Sequence, residues 1–219
     1  MRKKIRRRHD AHARASGVCT EHRDIFDVTP GGQKARLALG GYVADVDRLL
    51  GFQERCLEDQ HAAVEQLRRA RRVLRDGVRC IVMIGRLVRL DDTTMATLRL
   101  IGPVSDDKLL AHVRAVFDRV SPYVDAFVAE GLPPDLLKNM QETMQRFVTT
   151  RNDYAAARQR FSAASESILE TLAKADDVVD ALDELAVNAR SASPEVLTKL
   201  RIAKRVGPRP VAAPDDQAA

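Results

Sequence analysis

The stretch from Val43 to Val88 constrains the fold of this 219-residue chain more than any other. Counted in sevens from Val43, one column reads Val43, Leu50, Leu57, Val64, Arg71, Val78, Gly85, and a second reads Val46, Gln53, Gln60, Leu67, Leu74, Ile81, Val88. The column beside them, Tyr42, Leu49, Cys56, Ala63, Ala70, Gly77, Ile84, contains no charge. Three adjoining columns in seven make a stripe too wide for the two-column seam of a dimeric coiled coil, and they suit a helix packed against several neighbours.

Thr29 as N-cap and Pro30 at the first helical position predict where this helix starts. It is expected to run from about 30 to 90, with Gly51, Gly77 and Gly85 as points where it could bend. Residues 91–101 predict a short turn of helix. Ser105, followed by Asp106 and Asp107, predicts the cap of an amphipathic helix with Pro122 as a kink. A second long helix is expected from about Pro134 to Arg190, on the column Met140, Phe147, Tyr154, Phe161, Ile168, Ala175, Leu182. The adjoining column carries Arg151, Arg158 and Ser165, so packing there is not purely apolar. Ser193 and Pro194 predict a short closing helix. The fold class is therefore all-α: an elongated antiparallel helical bundle with two long helices, one intermediate helix and short terminal helices. Its boundaries are 1–28 as a weakly structured basic arm, 29–205 as one bundle domain, and 206–219 as a disordered tail.

Composition agrees with this. Aromatics make up 4% of the chain and Trp is absent, so the interior is left to aliphatic side chains. The three cysteines, Cys19, Cys56 and Cys80, are odd in number and widely spaced, the pattern of reduced thiols in a cytoplasmic protein. The most apolar run, residues 78–90, is too short and carries too many arginines to span a bilayer. The formal net charge is +5, but the first fourteen residues alone hold seven Lys or Arg against one Asp. The remainder is close to neutral, and the basic balance belongs to the arm.

Arginines give the strongest polar pattern. Arg68, Arg72, Arg75, Arg79, Arg86 and Arg89 fall in two columns on one side of the apolar stripe. With Arg2, Lys3, Lys4, Arg6, Arg7 and Arg8 of the arm they form a candidate phosphate-binding set. The bland alternative is that arginine stems cover apolar surface and the heads pair with some of the 31 acidic residues. No aromatic is interleaved with them for base stacking, so nucleic acid is not the favoured partner.

Other constellations are weaker. His9, His12, Cys19 and His22 could surround a zinc ion, although their spacing is not that of a familiar module and the neighbouring arginines repel a cation. Glu58 and His61 have the spacing used in di-iron bundles but lack a second such pair. Asp176, Asp177, Asp180, Asp183 and Glu184 read as a solvated helix face. No phosphate loop or nucleophile elbow occurs, and no cofactor is expected.

The segment LDELAVNARSASPEVLTKLRIAKRV, residues 182–206, resembles the closing segment of uncharacterised bacterial all-helical proteins, and TPGGQKA is similar to their entry into a first long helix. The resemblance implies a helical bundle and brings no activity. The leading expectation is a non-enzymatic scaffold or protein-interaction module, with a protein partner or self-association through residues 78–90. The alternatives are sequence-independent binding of nucleic acid or an anionic surface, and a metal-dependent enzyme in the bundle core.

Overall fold

The computed structural model describes residues 2–88, 90, 92–99, 102, 104–189 and 194–206. Among these the chain is all-α, with two long helices packed against each other. The helices are α1 (Arg2–Glu21), α2 (Arg23–Phe26), α3 (Pro30–Gly85), α4 (Asp92–Thr97), α5 (Asp106–Val120), α6 (Val124–Ala129), α7 (Leu136–Asn188) and α8 (Pro194–Ala203). A 3-10 turn over Ser121–Tyr123 stands where Pro122 predicts a kink. Helix α3 begins as expected: the Gly32 amide donates to Thr29 Oγ1 at 3.1 Å. It then runs unbroken through Gly51 and Gly77. Ser105 precedes α5 in extended backbone, but its hydroxyl makes no capping bond. The expected cap Ser193 and the expected tail from 207 onward lie outside the described residues.

Two compact units make up the chain. The terminal unit holds residues 1–55 and 160–219, and the middle unit holds 56–159.

In the middle unit, α3 and α7 enclose a core with α4, α5 and α6, built on Leu67, Leu74, Val78, Ile81, Leu109, Val113, Val116, Phe127, Met140 and Phe147. These are the predicted stripe positions together with the apolar face of α5. Gly77 lets α7 come close, since a Cβ there would stand 2.3 Å from Met140 Sδ. Arg71 lies in a predicted core column and is only half buried. Its guanidinium donates twice to Asp106, at 2.7 Å each, and lies 5.8 Å from the centre of the Phe147 ring.

The terminal unit corrects the expectation of a weakly structured arm. Residues Arg2–Glu21 form a helix, and Ile5, His9, Ala11, His12, Ala15 and Cys19 along it are buried. Those positions recur at three- and four-residue intervals, the spacing of a helix face, but their occupants are mostly small or polar, so apolar periodicity did not mark them. Helix α1 packs against α8. The interior here includes Ala15, Phe26, Leu39, Ala175, Leu182, Ala186 and Leu200, and a smaller cluster joins Ile5, Val46, Ile168 and Leu172.

Candidate functional site

Polar side chains reach the interior of the terminal unit at several points, and most of their polar atoms find a partner within it. The His12 ring is 4% exposed and donates through Nε2 to Asp176 Oδ1 at 2.6 Å. Arg8 donates to the other oxygen of the same carboxylate. His9 Nε2 lies 3.3 Å from the Val43 carbonyl and 3.4 Å from Asp47 Oδ1, both acceptors. Burial holds the His12 pKa below its ordinary value, against the opposing pull of Asp176. Burial also raises the Asp176 pKa, but the Arg8 and His12 hydrogen bonds together outweigh it and leave the carboxyl below the usual range. The neutral His12 ring carries its proton on Nε2, and its buried Nδ1 has no partner.

Arg36, also buried, donates to both oxygens of Asp27 at 2.7 and 2.8 Å. Gln53 donates to Ser165 Oγ at 2.7 Å, linking α3 to α7 at the polar position that the sequence marked. Lys204 reaches Asp183 at 2.7 Å and Asp180 at 3.3 Å. The acid run on α7 is therefore not simply a solvated face: three of its members, Asp176, Asp180 and Asp183, tie α1 and the residue following α8 to it.

These arrangements bear on the metal readings. His9 and His12 address different carboxylates, and Cys19 is buried, with burial pushing its thiol pKa to about 12. Among the described residues no group of three or more His, Cys, Asp or Glu is arranged to hold an ion. Glu58 and His61 are both exposed.

Two open grooves were candidates for chemistry. One, of about 440 Å³ in the middle unit, is lined by Arg114, Gln141, Met144, Gln145, Val148 and Thr149. The other, of about 420 Å³ in the terminal unit, is walled mainly by Ile25, Phe26, Val28 and Leu185. Neither lining includes a carboxylate, imidazole or thiol.

The predicted phosphate-binding residues divide between the two units. In the terminal unit, Arg8 is engaged with Asp176 and Arg6 donates to Glu54 at 3.0 Å, whereas Lys3, Lys4 and Arg7 are exposed. The Arg2 side chain and Arg89 lie outside the described residues. In the middle unit, Arg68 pairs with Glu65 at 2.5 Å and Arg79 with Asp76 at 3.5 Å, each bridge formed within α3 between exposed side chains. Arg72 and Arg86 are exposed, and Arg75 is half buried with an Nε that has no acceptor.

Beside these arginines stand two residues of the 78–90 run through which the sequence predicts a partner. Met83 is 62% exposed and Leu87 61%, although both belong to the run expected to be enclosed or partnered. At 3.6 residues per turn, Arg68, Arg75 and Arg79 lie within about 40° of one another around α3, and Met83 follows about 40° further round. Leu74, Val78 and Ile81, the core-facing residues, centre about 110° from the arginines and nearly opposite Met83.

The chain was compared with protein-family models, curated proteins and solved structures, and nothing in the three comparisons matches it. No described helix is long and apolar enough to cross a membrane.

Proposed function

We propose that the protein is a non-enzymatic interaction module: a helical bundle that presents the outward face of α3 in the middle unit to another protein. The observation that carries this is the exposure of Met83 and Leu87 beside arginines that take no part in the core. Each such side chain, fully buried, contributes about 1.5–3 kcal/mol, and the fold leaves that contribution unused. The polar clusters of the terminal unit support the same reading, because they join helix to helix and line neither of the two grooves.

Self-association through this face is the less favourable version. A two-fold pairing would set one copy's arginines against the other's, with Glu65 and Asp76 the acids that pair on this face among the described residues. A second reading, sequence-independent binding of a polyanion, rests on the same arginines and on the exposed Lys3, Lys4 and Arg7 of α1.

The test is a photo-crosslinking amino acid placed at position 83, with position 187, also exposed, as control, in the cells that make the protein. A discrete protein adduct at 83 that is absent at 187 is the expected result. Identical patterns at both positions, or no adduct at either, would remove the interaction reading.

A further inference from the structure

We propose that the outward face of α3 in the middle unit is a docking strip for an acidic amphipathic helix of another protein. This rests on reading the protein as an interaction module, and it names the chemistry of the partner.

Charge is the first argument. From Arg68 to Arg86 the strip is about 27 Å long at 1.5 Å per residue, or five helical turns. Five arginines lie along it; Arg68 and Arg79 pair with Glu65 and Asp76, each acid three residues before its partner and exposed, and Asp106 bears on Arg75. Exposed pairs of that kind bind weakly and exchange readily for another carboxylate. Arg72 and Arg86 are exposed, and the Nε of Arg75 has no hydrogen-bond acceptor. Exposed guanidinium groups such as Arg72 and Arg86 can each donate two hydrogen bonds to an incoming carboxylate.

Shape is the second. Met83 and Leu87 are exposed at one end of the strip. An apolar end beside a row of guanidinium groups is the complement of a helix that carries Leu or Met residues with Asp or Glu next to them. Methionine suits such a surface because its unbranched chain adapts to the residue that meets it.

The same features disfavour a uniform polyanion. A phosphate backbone or an anionic bilayer would press negative charge onto Glu65 and Asp76, which share the face, whereas a peptide can place small or basic residues opposite them. No aromatic lies between Glu65 and Leu87 to stack on a base or to anchor in a lipid interface.

The test uses the full-length chain and fluorescence anisotropy. The probe is a labelled helix of about 20 residues with leucines on one face and glutamates flanking them, and its control carries lysine in place of glutamate. The expected result is at least about tenfold tighter binding of the glutamate peptide, lost in the double variant R72E/R79E and weakened in M83Q/L87Q. Circular dichroism checks that both variants fold. Equal binding of the two peptides, no binding of the acidic one, or indifference to both variants overturns the proposal. So does binding of random-sequence duplex or phosphatidylserine vesicles at least as tightly as the peptide. If adducts still form at position 83 after such a result, the partner's chemistry is wrong and the module reading survives; if they do not, both fail.

Discussion

The two units are built from stretches of the same two long helices but hold them together differently. In the middle unit the contact is made by volume: Phe147, Met140, Phe127, Leu74 and Ile81 fill the space, and its half-buried ion pair, Arg71 with Asp106, sits beside that core. In the terminal unit small residues such as Ala15, Ala175 and Ala186 bring helices close, and specific polar pairs fix their register: His12 with Asp176, Arg36 with Asp27, Gln53 with Ser165. Packing by volume tolerates changes of solvent and is sensitive to lost methylenes. Packing by polar pairs is sensitive to whatever changes a proton.

The largest effect that could break this comparison comes from the volume side. Phe147→Ala removes a fully buried ring, and the expected loss is about 3–5 kcal/mol, the usual range for a core aromatic truncated where the surroundings cannot collapse. Native-state hydrogen exchange should show the loss in α5, which shares that core. A loss under about 1 kcal/mol would mean the middle unit is not held by its filled interior.

The next effect is on the polar side and follows pH. The folded His12 pKa lies below its ordinary value of 6.5, so below that pH the unfolded chain takes up a proton that the folded chain refuses. Stability of the terminal unit is therefore present above pH 6.5 and is lost as pH falls through the folded pKa. Protonation would place a buried Nδ1–H where no acceptor waits, a cost of about 1–3 kcal/mol. Three charged or titratable groups bear on this ring: Arg8 and His9 from α1, and Asp176 from α7. Asp176, itself held below the carboxylate range, adds to the loss only near and below pH 4, in the same direction. In the middle unit the corresponding group is Asp106, whose hydrogen bonds from Arg71 hold it low, so that contribution too is kept until pH falls below about 3.8. Between pH 7 and 5, hydrogen-exchange protection factors, which are corrected for the pH dependence of the intrinsic rate, should fall in α1 and stay unchanged in α5, and His12→Gln should abolish the difference. An equal fall in both units would erase the distinction.

Why the sequence disclosed one unit better than the other follows from the same contrast. In the middle unit, Leu67, Leu74 and Ile81 on α3 and Met140 and Phe147 on α7 are buried as their spacing predicts, because large apolar residues at helical intervals carry their own signal. Helix α1 carries none: seven of its first thirteen residues, Arg2 to Arg14, are basic, and the face it buries is made of histidine, alanine and cysteine. What makes His12 an interior residue is Asp176, 164 positions away, and no local pattern predicts a partner at that distance. The arginine strip was visible as a charge pattern. Its meaning was not, because the exposure of Met83 depends on which side of α3 the core occupies, and that is decided by α5 and α7 rather than by α3 itself.

The smallest effect is the most informative about function. If Met83 and Leu87 serve the fold, replacing them will cost what core residues cost; if they serve a partner, the isolated protein will barely register the change. Glutamine is the suitable replacement, being a good helix former and uncharged near the end of α3, so that propensity and the helix dipole contribute little. For M83Q/L87Q the expected change in unfolding free energy is within about 0.5 kcal/mol, the range for exposed sites, measured by urea denaturation with an unchanged slope. Set against Phe147→Ala in the same unit, this separates residues that α3 turns inward from those it turns outward. A cost above about 2 kcal/mol would place Met83 and Leu87 among the fold's own contacts and return the strip to the role of an ordinary arginine-covered helix face.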